Sequence, residues 1–243
     1  MDKTPFGHDE IDPAQAIGPQ IYEKLREKIV RTELLPGEII SETEVARNYE
    51  VSRQPVREAF IKLVQAGLVT IRPQRGTMIT RISASAVMDA SFVREAIEAE
   101  IVKLVASIAD AAVVRELSGQ VAHQRTAGEA DSDEFVRLDE LFHRTLADIA
   151  GKHYAWRVIQ DVKAQVDRVR YLSVESVHVR FLIREHERIV RAIENADPAE
   201  AEAAMRTHLR GIVDVLPAVA RARPELFLSS AELTPVIGRS GRR

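Results

Sequence analysis

Apolar side chains recur every three to four residues along most of the chain, and the exceptions mark its organisation. Ile21, Leu25, Ile29 and Val30 form one stripe, while Lys24, Arg26, Glu27 and Lys28 face outward; this predicts a helix that Leu35-Pro36-Gly37 ends. Ser41-Glu42-Thr43-Glu44 has the spacing of a capping box and predicts a short helix that runs to about Tyr49 and buries Val45. Glu50-Val51 makes a turn, Ser52 caps a further helix from Arg53 to Ala66, and Gly67 closes it. Leu68–Ile71 and Thr77–Thr80 then read as two strands around the tip Arg72-Pro73-Gln74-Arg75-Gly76. Residues 1–19 contain Pro5, Gly7, Pro13, Gly18 and Pro19 without periodicity, so a flexible arm is expected there.

Beyond Ser83 no segment reads as a strand. Val87, Ala90, Val93, Ile97, Ile101, Leu104 and Ile108 trace one long helix, and further helices are expected at about 111–127, 132–150, 154–172 and 179–194. Asp197-Pro198-Ala199-Glu200 opens the last, with Asp197 as cap and Pro198 at the first helical position. The fold class is therefore mainly α: a winged helix-turn-helix over 20–81, then an all-helical antiparallel bundle over 83–222 and a tail over 223–243.

Charge sharpens the first unit. The chain as a whole carries −3, yet residues 20–81 hold 11 Lys and Arg against 8 Asp and Glu, and residues 49–81 hold 6 against 2. In a helix-turn-helix, the start of the second helix meets base edges in the major groove, which here brings forward Ser52, Arg53, Gln54 and Arg57. Arginine can hold guanine O6 and N7 with two bonds, and glutamine can do the same for adenine. Basic residues at a helix start oppose the macrodipole, so this arrangement calls for a compensating anion such as phosphate. Arg72, Gln74, Arg75 and Gly76 at the hairpin tip complete a candidate surface for double-stranded DNA.

In the second unit, polar residues interrupt the apolar stripes. Asp139 and His143 lie four apart beside Leu138 and Phe142, His186 lies in line with Ile183, Val190 and Ile193, and His208 with Met205, Ile212 and Val215. One such histidine is ordinarily a hydrogen-bonded core residue, but three with an aspartate on three helices suggest a shared ligand, because burying them unpaired costs roughly 2–7 kcal/mol each. A divalent cation satisfies all four, and nitrogen and oxygen donors suit zinc first, then nickel, manganese or iron. The absence of cysteine removes thiolate ligands and disulfides and agrees with a cytoplasmic protein. No apolar run approaches the ~20 residues of a membrane span.

Ile21-Tyr22-Glu23-Lys24-Leu25-Arg26, Leu35-Pro36-Gly37, Ser52-Arg53-Gln54-Pro55-Val56-Arg57-Glu58-Ala59, Gly67-Leu68-Val69 and Arg75-Gly76 together resemble the winged-helix signature of the GntR family of bacterial regulators. The resemblance implies operator contacts from Arg53, Gln54 and Arg57 and a wing tip in the minor groove; Thr43 stands where some relatives carry a DNA-contacting arginine. Asp139-x-x-Phe142-His143-x-x-Leu146, Glu185-His186-x-x-Ile189-x-x-Ala192-Ile193 and Met205-x-x-His208-Leu209 resemble the FCD sensor domain of the FadR-type branch. That implies a metal held by Asp139, His143, His186 and His208, and a small carboxylate effector that completes its coordination. It also assigns Arg94, followed by Glu98, to effector binding; an ordinary i,i+4 ion pair between the two is the other reading. Arg168, with Arg170 and Tyr171, is a further candidate for the effector pocket.

The expected function is a homodimeric, effector-responsive transcription regulator, a repressor released by its ligand, on a two-fold operator. The competing class is a metal-dependent helical-bundle enzyme with a nonspecific DNA anchor. It is weakened because His186-Glu187 lacks the second histidine of a zinc-protease helix, which would fall at Val190, and no nucleophile–base pair or glycine-rich phosphate loop is evident.

Overall fold

The computed structural model describes residues 11–72, 75–128, 132–173 and 179–228. Its first unit comprises α1 (Ile17–Val30), β1 (Ile39–Ile40), α2 (Glu42–Asn48), α3 (Arg53–Gln65), β2 (Val69–Arg72) and β3 (Gly76–Ile79). Helix α1 starts four residues before the apolar stripe does, because Pro19 stands in its first turn, where amides have no intrahelical partner. The Gln20 side chain pins the preceding segment by exchanging hydrogen bonds with the Asp12 backbone at 2.8 and 2.9 Å. The expected arm therefore gives way to ordered chain before residue 19.

Ser41 caps α2 as its sequence implies, accepting from the Glu44 amide. Ser52 has the extended backbone of a cap before α3, but its hydroxyl takes no capping bond. The third residue of α3 is Pro55, which has no N–H to donate. The two expected strands form an antiparallel hairpin with Arg72 opposite Gly76, and the unforeseen β1 joins β3 to give the order β1-β3-β2. Two residues are too few to register as a period. Gly76 has φ +93°, and a Cβ there would come within 2.7 Å of Ile39 Cγ2, so the hairpin and β1 together require glycine.

The second unit comprises α4 (Ala84–Ile108), α5 (Ala111–Gly128), α6 (Ser132–Ile149), α7 (His153–Val162), α8 (Ala164–Ser173), α9 (Val179–Glu194) and α10 (Pro198–Ala222). The long helices α4 and α10 pack along each other, and Phe135, Phe142, Leu146, Ile189 and Met205 fill the centre. The inward face of α4 differs from the apolar stripe. Leu104 and Ile108 are exposed, whereas Arg94 and Glu98 are buried as an ion pair.

The single helix expected over 154–172 is broken at Lys163. Lys163 is itself buried, with Nζ 3.2 Å from Glu140 and 2.7 Å from Asp167. The break lets α8 dock on the first unit. Ala164 joins that unit's core, Gln165 donates to the Gly67 carbonyl at 3.0 Å, Arg168 donates to the Thr80 carbonyl at 2.9 Å, and Asp167 pairs with Arg26 of α1. The chain also returns to the junction after α10. Ile82 pairs in parallel with Phe227, and Leu226 and Phe227 are buried against Ile82, Ala84 and Val87. The expected tail thus begins as part of the fold.

Burial pushes the Asp167 carboxyl up, but Lys163, Arg26 and Arg170 outweigh it and bring it down to about 2. A folded value below the usual 3.8 stabilises the protein above that pH, and the contribution disappears as pH falls from about 4 through about 2. Asp167→Asn leaves two cations poorly compensated and should cost about 3 kcal/mol in urea unfolding. The variant should also lose stability less steeply than the parent across that acid window.

Candidate functional site

Two groups of side chains carry chemistry. On the first unit, α3 presents Ser52, Arg53, Gln54 and Arg57 at its exposed start. Both arginines turn back to one carboxylate on α2: Arg53 Nη2 is 3.1 Å from Glu42 Oε2, and Arg57 donates to both Glu42 oxygens at 3.3 Å. Burial pushes the Glu42 carboxyl up, but Arg57 and Arg53 outweigh this and hold it below its ordinary value. Gln54 donates to Glu58 at 3.2 Å. Arg72, Arg75 and Gly76 are exposed at the wing, while Gln74 lies outside the described residues. Glu42 was missed in the sequence reading, where it served only to begin a helix. Its pairing with both arginines arises because α2 and α3 meet at the turn.

On the second unit, α6 contributes Asp139 and His143, α9 contributes His186 and α10 contributes His208, and one ligand atom from each lies within 4.8 Å of the others. His208 Nε2 is 3.1 Å from His143 Nε2 and 3.2 Å from His186 Nε2. Asp139 oxygens stand 3.9 and 3.6 Å from those two histidines. All four residues are buried. Tetrahedral bonds of ~2.1 Å separate ligand atoms by about 3.4 Å, so these spacings match a cation cage.

The outer nitrogens explain why the inner ones converge. His143 Nδ1 lies 2.5 Å from Glu98 Oε2, His186 Nδ1 2.7 Å from Gln124 Oε1, and His208 Nδ1 3.0 Å from Glu185 Oε2. Gln124 and Glu185 fix the Nδ1–H tautomers of His186 and His208, while His143 Nδ1 contacts Glu98 without the angle of a hydrogen bond; in these tautomers Nε2 presents a lone pair. Two facing lone pairs cannot hydrogen-bond, whereas a cation satisfies all three, so the donor set fits a divalent metal. Burial keeps His143 below its ordinary value despite Glu98, and burial with neighbouring His208 keeps His186 well below it. Neutral imidazoles are the form that binds metal. The Asp139 carboxyl is raised by burial but lowered more by Arg170 and the three histidines, and so stays ionised. Phe142 stacks on His186 with ring centroids 4.6 Å apart.

A cavity of about 230 Å³ opens beside this cluster, with Asp139, His208, Arg94 and Arg170 among its lining. Arg94 forms the expected i,i+4 ion pair with Glu98 at 2.7 Å and also lines the cavity. Glu98 does not line the cavity; it orients His143 instead. Arg168 is also displaced from the expected pocket. It is fully buried at the junction with the first unit, bonded to Thr80. Arg170, two residues further along α8, faces the opposite way and meets Asp139 at 2.5 Å. Residues two apart on a helix do not share a face. Tyr171 lines a different cleft, against α1. Nothing in the sequence singles out Gln124, whereas Glu185 stands in the Glu185-His186 motif and gains its role only from the contact with His208.

The residues 18–79 match the model of the bacterial regulatory proteins of the gntR family, and residues 89–211 match that of the FCD domain. The chain is 40% identical over 220 residues to the HTH-type transcriptional repressor RspR of Escherichia coli (strain K12), covering 90% of this chain and 96% of that protein. It is 38% identical over 217 residues to an HTH-type transcriptional regulator in an unstable DNA locus of Streptomyces ambofaciens, covering 89% and 92%. Among solved structures it resembles E. coli McbR/YncC with a TM-score of 0.72 at 16% identity, over 83% of this chain and 97% of that one, which supports the fold. No described helix is long and apolar enough to cross a membrane. The winged unit with its basic reading helix and the bundle with its histidine cluster are the two halves of one architecture, and the chain belongs to the GntR family of DNA-binding transcription regulators, with an FCD domain as its second half.

Proposed function

We propose that this regulator is a cytoplasmic homodimeric repressor whose operator affinity is lowered by a small carboxylate bound at a metal centre in the FCD domain. The observation that carries the reading is the convergence of three Nε2 atoms and Asp139 on one point, with a side-chain oxygen within 3.0 Å of each Nδ1. Asp139, His143, His186 and His208 would hold the ion, with zinc the first candidate and nickel, manganese or iron next. When bound, the ion supplies a positive centre for a carboxylate oxygen. Arg170 and Arg94 provide guanidinium groups at the cavity for the rest of the acid.

Helix α8 supplies a route from that site to DNA. Arg170 on one of its faces binds Asp139, while Gln165, Asp167 and Arg168 on others hold the winged unit. A ligand that draws on Arg170 shifts the position in which α8 is most stable, and the winged unit moves with it. A coupling of roughly 1–3 kcal/mol corresponds to about 5- to 150-fold in operator affinity. At the operator, Arg53 and Arg57 exchange Glu42 for phosphate or guanine, with Ser52, Gln54 and the wing residues Arg72, Gln74, Arg75 and Gly76 beside them. A dimer doubles these contacts on a two-fold site.

Selection of genomic fragments by the metal-loaded protein at fixed salt should recover a short near-palindrome; salt-sensitive binding without sequence preference would refute the repressor reading. Because Arg53 is exposed, Arg53→Ala should retain its thermal stability while losing about tenfold or more in operator affinity by fluorescence anisotropy. His186→Ala should lower the metal content measured by emission spectroscopy. It should also abolish the fall in melting temperature that a chelator produces in the parent. Full occupancy in this variant would remove His186 from the metal site.

A further inference from the structure

We infer that the effector is a monocarboxylate of about ten non-hydrogen atoms in all, with an apolar body, rather than a dicarboxylate or a polyhydroxylated acid. This rests on the reading of the metal cluster and its cavity as the effector site, and on the gradient of chemistry along that cavity. At one end stand Asp139 and His208 of the cluster with Arg170 on Asp139, and Arg94 joins the lining behind Glu98. From there the wall is carried by α10 through Leu209, Ile212 and Val215, with Leu182 of α9 and, more exposed, Phe181. The seven steps from His208 to Val215 span about 10 Å of helix. The far end of a ligand anchored at the cluster therefore lies among aliphatic side chains.

Two features of that far end decide the chemistry. Among the described residues, its one charged lining residue is Asp214, which is exposed at the rim, and the cavity's only guanidinium groups are those of Arg94 and Arg170. A second carboxylate would meet Asp214 and find no cation there. Most hydroxyls of a sugar acid would lose water against Leu209, Ile212 and Val215; beside them stand only the Ser173 hydroxyl, which already donates to the Arg170 carbonyl, and Asp214 at the rim, and a polar group buried without a partner costs free energy. An apolar body gains by the same contact. The volume of about 230 Å³ equals that of seven or eight waters at ~30 Å³ each and lies below the range of drug-sized pockets, which sets the size.

The test uses full-length, metal-loaded protein and four probes: 4-methylpentanoate, 3-phenylpropanoate, succinate and gluconate. Calorimetry should rank either apolar acid at least tenfold tighter than succinate and gluconate, and the tighter acid should weaken operator binding. Val215→Asn should remove most of that preference at unchanged metal content, and Ile212→Asp should do so more strongly. Val215→Asn is the decisive variant should Ile212→Asp fail to fold. Equal or tighter binding of succinate or gluconate would overturn the apolar class while leaving a carboxylate site at the metal in place. If none of the four bound to protein with full metal content, the effector reading and the inference built on it would both fall.

Discussion

Three buried imidazoles whose lone pairs face one another at 3.1 to 3.2 Å set the terms for the bundle. Neutral nitrogens in that arrangement repel, and burial disfavours protonation of His143 and His186. Hydrogen bonds from the outer nitrogens to Gln124 and Glu185 set the tautomers of His186 and His208, and Glu98 stands in ionic contact with the outer nitrogen of His143. Those side chains come from α4, α5 and α9, so the geometry of the cluster depends on helices that contribute no ligand as well as those that do. Arg94 and Arg170 then hold Glu98 and Asp139 ionised, and the buried charge is compensated in pairs.

The same logic of paired buried charge carries across the junction between the two units. Lys163 and Arg26 converge on Asp167, and the helix break at Lys163 gives α8 its docking position on the winged unit. Arg168 is the exception to full compensation. It is completely buried with a single hydrogen bond, to Thr80, and burial brings its guanidinium down to about 10. A charge so placed makes the junction sensitive to small displacements of α8, since leaving that carbonyl would expose the full cost of burial. At the DNA-facing end, Glu42 holds Arg53 and Arg57 together on the surface. Exposed pairs of this kind are weak, so the arginines can leave for a polyanion at little cost.

Much of the fold was legible because it rests on local rules. The period of Ile21, Leu25 and Ile29, the box at Ser41 and the cap at Asp197 depend on residues within one or two turns of each other, and each element formed where those signals lie. The four residues that cluster in the bundle were legible for a related reason. Each interrupts an apolar stripe, and a polar group on a buried face must share whatever partners that interior holds. The break at Lys163 was not legible, since no proline or glycine marks it. It exists because α8 packs on two units at once.

By itself, then, the sequence determined the two-unit architecture, the basic start of α3 and the presence of three histidines and an aspartate on inward faces. All of these follow from periodicity, capping and turn chemistry along the chain. Only the tertiary structure decided which side-chain oxygen stands behind which histidine, that Glu98 contacts His143, that Arg170 rather than Arg168 meets Asp139, and that Glu42 holds Arg53 and Arg57. Those choices depend on helix rotation and on contacts between residues as far apart as Arg26 and Asp167. A helical period tells which residues share a face, and the packing of neighbouring helices settles what that face meets.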